Sequence, residues 1–171
     1  MGRVPAMGRK KNKKRQQSNP QQSFSTSMDV DAKLQQAIPL YQAGQLQQAE
    51  QICQQILKDF PQHANALHLL GVIAYKVEEY KIATDLISRA VRIDSDQSLF
   101  YINLGNVLQE QGRLEESIEA YQQAIHIQPD HADAYINLGN VLQEQGKLEE
   151  SIEAYQQAIH IQPDHADAYS N

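Results

Sequence analysis

Apolar positions recur with helical spacing over most of this chain. In residues 132–165, Tyr135, Leu138, Gly139 and Leu142 step by three, four and three, which keeps them on one helical face. A second stripe follows at Ile152, Tyr155, Ala158 and Ile159, with Ser151 and Ala154 small enough for close approach. The residues between the stripes fit two helices and a tight turn. Asp130 stands where it would cap a helix starting near His131, and Asp133 falls in its first turn, where the helix dipole favours an acid. Gly146 lies just past the first stripe, at the position where a left-handed backbone commonly ends a helix. The second helix opens at Lys147 or Leu148, with Glu149 and Glu150 in its first turn, and Pro163 closes it. So short a turn leaves the two helices antiparallel.

The pattern is repeated. Residues 98–131 and 132–165 differ at four of 34 positions: Ser98/Ala132, Leu99/Asp133, Phe100/Ala134 and Arg113/Lys147. Leu70 and Gly71 lie 34 residues before Leu104 and Gly105, and Ala90 lies 34 before Ala124. One period further back, Leu40, Ala49 and Pro61 hold the spacing in a divergent unit. The predicted organisation is a basic leader (1–28), units at 30–63, 64–97, 98–131 and 132–165, and the opening of a fifth unit in ADAYSN, residues 166–171. One hairpin cannot bury its apolar face alone, but a stack of near-copies can. The expected fold is all-α, an α–α superhelix of four antiparallel hairpins plus the first turn of a fifth.

The 34-residue unit resembles the tetratricopeptide repeat. The resemblance is carried by Tyr101, Leu104, Gly105, Tyr121, Ala124 and Pro129, and again by Tyr135, Leu138, Gly139, Tyr155, Ala158 and Pro163. The chain departs from the family pattern at Tyr101 and Tyr135, where Trp is common, and at Ser117 and Ser151, where Ala is common. Tyr fills much the same space and Ser is still small. The stretches GNVLQEQGRLEESIEAYQQAI and LYQAGQLQQAEQICQQIL are similar to the repeat region that precedes the catalytic part of bacterial O-GlcNAc-transferase-like, SPINDLY-type proteins. The resemblance implies a scaffold that binds an extended peptide or partner protein in its concave groove. It also implies an alternative: the substrate-recruiting part of a larger transferase whose catalytic domain is not in these residues.

In such a solenoid the first helix of each unit lines the concave face. Asn103, Asn137 and Asn171 are one repeat period apart, and so are Asn106 and Asn140. An amide offers two donors and an acceptor, which suits a peptide backbone whatever its side chains, and the resembled transferase repeats hold polypeptides in this way. The same asparagines could instead bridge adjacent hairpins, or be copied only because the whole unit was duplicated. Gln109, Glu110, Gln143 and Glu144 add polar and acidic character at the rim, suiting a partner with Lys, Arg, Ser or Thr. Tetratricopeptide domains that clamp a chaperone's terminal carboxylate use basic groove residues. The matching positions here are Ile102, Ile136, Asn106 and Asn140, so that clamp is not expected.

Composition narrows the picture further. Apolar residues make up 41%, enough for a continuous core, and the 8 Gly and 6 Pro are too few for a strand-and-turn fold. The net charge of −6 hides an asymmetry: residues 1–28 carry seven basic and no acidic side chains, whereas the rest carries 21 acidic and 8 basic. A body this acidic repels phosphate backbones, which excludes a specific nucleic-acid groove in it. The leader is disordered by composition and reads as a solubilising segment or an upstream start, since MGR recurs at Met7; non-specific contact with anionic lipid or RNA is the other reading. It lacks the apolar stretch of a secretory signal, and Ala6 stands where myristoylation needs Ser or Thr. One cysteine makes no internal disulfide, and no run approaches the ~20 apolar residues of a membrane span, so a cytoplasmic protein is expected.

Neither metal nor cofactor is expected. His126/His131 and His160/His165 repeat at the turns between units without converging, and Cys53 falls where Tyr121 and Tyr155 stand in later units, a core position. There is no glycine-rich phosphate loop, Ser/His/Asp set or HExxH, hence no catalytic residue. Residues 166–171 are too short to cap the array, so the face carrying Tyr155 and Ile159 should be partly bare. That leaves a longer array, or end-to-end self-association, as expectations.

Overall fold

A computed structural model describes residues 20–163, with side chains over residues 29–163. Eight α-helices follow one another: α1 (Pro20–Gln42), α2 (Leu46–Asp59), α3 (Ala64–Lys76), α4 (Tyr80–Ile93), α5 (Ser98–Glu110), α6 (Leu114–Ile127), α7 (Ala132–Glu144) and α8 (Leu148–Ile161). They pair as four hairpins, and each hairpin packs on the next. The odd-numbered helices touch across hairpins (α1 on α3, α3 on α5, α5 on α7), whereas the even-numbered helices make no such contacts with one another. Inner helices that meet beside outer helices that do not leave the array concave on the odd-numbered side, as expected of a hairpin solenoid.

Each hairpin turns in the same way. Gly44, Gly112 and Gly146 adopt φ of +74°, +69° and +76°, and Glu78 occupies the equivalent left-handed position at +64°. The following N–H reaches back to close the helix end: Gln45 to Leu40 O, Glu79 to Ala74 O, Arg113 to Leu108 O and Lys147 to Leu142 O, at 2.8–2.9 Å.

The hairpins close on a pairing of small with large side chains. A Cβ on Gly105 would lie 2.5 Å from the Tyr121 ring, one on Gly139 would lie 2.6 Å from Tyr155, and one on Gly71 would lie 2.6 Å from Ile87 Cγ1. In the divergent first hairpin the same two positions hold Ala37 and Cys53, both fully buried in one cluster. Where the outer residue shrinks from Tyr to Cys, the inner one can carry a methyl. Ser117 and Ser151 are buried, and their hydroxyls donate to Gly105 O and Gly139 O at 2.8 Å. Serine at these positions therefore ties the two helices together as well as being small.

Three local expectations are corrected. Asp130 does not cap α7; the cap position belongs to His131, whose side chain makes no capping bond. Gln128, Pro129 and Asp130 are taken up by the turn, closed by His131 N to Gln128 O at 3.3 Å, so the helix enters one residue later. Residues 20–28, read as the end of a disordered leader, belong to α1, with Pro20 at its start, where a missing N–H costs nothing. Ile152 and Ile159, assigned to the packing stripe of α8, are 56% and 48% exposed. Their equivalents Ile118 and Ile125 are covered in the cluster that α7 joins. Leu148 is bare beside them at 54%, so the apolar face of α8 has no neighbour among the described residues. Residues 1–19 of the leader and the fifth-unit residues 166–171 lie outside the described residues.

Candidate functional site

The concave face is built from α3, α5 and α7, and amide groups cross it from helix to helix. Asn103 Nδ2 donates to His68 Nε2 at 2.8 Å, joining α5 to α3. One helical turn on, Asn106 Oδ1 accepts from Asn137 Nδ2 at 3.2 Å, joining α5 to α7. The same oxygen accepts from Tyr121 OH at 2.7 Å, and Asn140 Oδ1 accepts from Tyr155 OH at 2.7 Å. Tyr121 and Tyr155 thus fill the hairpin interiors and fix the amides above them. Gln109 and Gln143 each lie within 3.3 Å of the same hydroxyls, and Gln109 Nε2 donates to Glu144 Oε2 at 3.0 Å.

The bridging role weighed for Asn103 and Asn137 is therefore present. It does not exhaust the amides. With these bonds made, the groups left without partners among the described residues are two acceptors, Asn103 Oδ1 and Asn137 Oδ1, and two donors, Asn106 Nδ2 and Asn140 Nδ2. From one inner helix to the next, acceptor repeats at Asn103 and Asn137 and donor at Asn106 and Asn140, each amide held at its other end. Asn140 and Gln143 are exposed, while Asn103, Asn106, Gln109 and Asn137 are half-buried. Asn171 lies outside the described residues.

The ladder stops at α3, where the positions of Asn103 and Asn106 are taken by Leu69 and Val72. His68 ends it. Its ring stacks on Phe100, centroids 4.3 Å apart, and burial lowers its pKa to about 4, so it stays neutral and can accept from Asn103. His68 was not singled out from the sequence. Its repeat equivalents are Ile102 and Ile136, so the periodicity that exposed the asparagines concealed it.

A second line of cross-hairpin pairs runs along the turn-side rim. Lys76 Nζ sits 5.2 Å from the Tyr41 ring centre, and Gln109 bonds Glu144. Between these pairs, Tyr75 and Tyr80 lie with centroids 5.9 Å apart at 49°. Burial raises both phenols, and the Glu110 carboxylate adds to the effect at each.

Two shallow clefts of about 350 and 360 Å³ repeat with the period of the chain, floored by Tyr101, Leu104 and Leu108 and by Tyr135, Leu138 and Leu142. Among the described residues no three His, Cys, Asp or Glu side chains gather to hold a metal ion. Burial, and then Glu50, raise the Cys53 thiol to about 12, so it remains protonated.

Family models match the chain in series: one described as "Tetratricopeptide repeat" over residues 40–104, one as "TPR repeat" over 105–146, and a further "Tetratricopeptide repeat" over 132–165. This is a tetratricopeptide-repeat fold. The repeats are 33% identical over 93 residues to the probable UDP-N-acetylglucosamine–peptide N-acetylglucosaminyltransferase SEC of Arabidopsis thaliana, covering 54% of this chain and 10% of that protein. The chain thus spans about a tenth of that relative's length. Among solved structures, MamA superposes with a TM-score of 0.73 at 22% identity, covering 86% of both chains. MamA from Desulfovibrio magneticus RS-1 gives 0.72 at 23%, covering 79% of this chain and 76% of that one. At such identities the likeness concerns the fold alone. An O-GlcNAc transferase mutant from Thermobaculum terrenum gives 0.66 at 31% identity, covering 68% of this chain and 22% of that one.

Proposed function

We propose that these tetratricopeptide repeats form a non-catalytic scaffold whose inner face holds an extended segment of another protein. One observation carries the reading: Asn103 and Asn137 each leave an acceptor free, and Asn106 and Asn140 each leave a donor free, while their other ends are tied down. A peptide backbone presents N–H and C=O groups in alternation, and groups fixed beforehand lose little freedom on binding it. Gln109 and Gln143 extend the proposed face, and Asn171, outside the described residues, joins the proposal on its repeat spacing alone. The test is pulldown or anisotropy with Asn103 and Asn137 both changed to Ala. Weaker peptide binding with helicity retained is expected; unchanged binding sinks the reading.

A cytoplasmic setting belongs to the proposal. No helix among the described residues is long and apolar enough to cross a membrane, and the one cysteine is buried as a thiol. The bare face of α8 is proposed as a second protein contact, by end-to-end association.

The matches to SEC and to the T. terrenum enzyme favour a second reading, in which these repeats recruit substrates to a glycosyltransferase part. The reading frame downstream of Asn171 decides it: a transferase domain in frame supports it, and an immediate stop codon removes it.

A further inference from the structure

The turn-side rim contains a group of side chains that neither the amide ladder nor the core requires. Tyr75 at the end of α3 and Tyr80 at the start of α4 present two tilted rings, centroids 5.9 Å apart. Gln111 Nε2 donates to Tyr80 O at 2.8 Å and to Thr84 Oγ1 at 2.7 Å, which pins the end of α5 against α4. Glu110 is the residue before that anchor, which keeps its exposed carboxylate at the α4 end of α5, on the side of the two rings. The raised phenol pKa values agree, because Glu110 contributes to each.

Glu110 sits in the last turn of α5, where the helix dipole disfavours an acid. In α3 the same position holds Lys76. The acid recurs as Glu144 at the end of α7, where Gln109 Nε2 bonds it, and Glu110 makes no such bond among the described residues. The chain also shows how the rim accommodates a cation, since Lys76 Nζ already lies 5.2 Å from the Tyr41 ring, one hairpin earlier. Lys76 is the only Lys or Arg on α3, α5 and α7, and it lies over Tyr41. The cleft beside Tyr80 is lined by Glu78, Glu79, Lys81 and Arg113, and Arg113 is already paired with Glu116, so with Glu110 close by the acids outnumber the one cation left over.

We propose that Tyr75, Tyr80 and Glu110 form a subsite for a cationic side chain, lysine or arginine, of the segment lying on the amide face. Ring faces attract a cation through their quadrupole, and the carboxylate adds direct charge attraction. The subsite adjoins the ladder: Gln109, next to Glu110, shares the Tyr121 hydroxyl with Asn106. The proposal rests on the groove-binding reading and adds the chemistry of one ligand residue.

The test uses a fluorescein-labelled serine- and threonine-rich peptide with one central lysine, and the same peptide with norleucine, titrated into the full chain. The lysine peptide should bind about fivefold more tightly. Glu110→Gln and Tyr75→Leu should each bring the ratio close to one without changing norleucine affinity. Glu149→Gln, on the outer helix α8, should leave the ratio intact. Circular dichroism checks folding, and Glu110 is exposed, so its variant removes charge without opening the core. Equal affinities for the two peptides, or a ratio that survives both rim variants, overturn the subsite while leaving the groove in place. Failure of both peptides to bind removes the groove reading and the subsite with it.

Discussion

Replacing Gly105 with alanine tests the packing logic of the whole array. In solution studies of helices, glycine to alanine is worth about 1 kcal/mol in favour of alanine. Here the new methyl would lie 2.5 Å from Tyr121 Cε1 and 2.8 Å from Cδ1 and Cζ. The ring is fully buried and its hydroxyl is held by Asn106 at 2.7 Å, so it cannot swing aside. Moving α5 instead would disturb the Ser117–Gly105 bond and the amides above it. Overpacking of this kind costs about 1–3 kcal/mol, and the pinned ring puts Gly105→Ala at the upper end, a net destabilisation of about 2 kcal/mol after the helix preference. The first hairpin predicts the rescue, since Ala37 and Cys53 pack there with neither exposed. In a Tyr121→Cys background, itself about 3 kcal/mol less stable, Gly105→Ala should change sign and stabilise by about 1 kcal/mol. The coupling between the two positions is then about 3 kcal/mol. Urea unfolding under reducing conditions, followed by far-ultraviolet circular dichroism, measures all four chains, with constant m-values as the check on comparability. An alanine effect of the same sign and size in both backgrounds would show that the Tyr121 ring does not dictate glycine.

Three further outcomes are expected. His68 is held neutral when folded, with its pKa lowered from 6.5 to about 4, so the unfolded chain takes up this proton first. Its share of stability is complete above pH 6.5 and is lost as pH falls toward 4, by about 3 kcal/mol. A His68→Gln chain should show a flatter stability profile between pH 6.5 and 5, and a profile parallel to that of the parent chain would exclude the assignment. Glu78 alone holds its turn at φ +64° without being glycine. Glu78→Gly should gain about 0.5–1 kcal/mol, seen as a higher urea midpoint, and an equal gain from Glu78→Ala would trace the effect to charge instead of backbone. Ile152→Lys with Ile159→Lys should weaken self-association in sedimentation velocity; a parent chain that is monomeric at every concentration would rule out the end-to-end contact.

The repeat itself was legible in the order of residues. A 34-residue period with helical apolar spacing, Gly at the end of one stripe and Pro after the next, leaves few folds open, because identical hairpins have only each other to bury against. The asparagine positions were legible for the same reason, since periodicity maps directly onto one face. Periodicity does not say which end of each amide is occupied. That depends on Tyr121 and Tyr155 reaching from the outer helices and on α3, α5 and α7 standing close enough for His68, Asn103, Asn106 and Asn137 to bond. His68 itself breaks the repeat, and its neutrality comes from burial against Phe100, a contact 32 residues distant in sequence. The start of α7 was misplaced by one residue because a capping aspartate and a turn aspartate look alike until Pro129 has set the path of the chain. Residues 20–28 were misread because composition does not reveal that Pro20 begins a helix continuous with the first hairpin. Local pattern thus determined which helices form and in what order, and the close approach of inner helices decided which polar groups remain for a partner.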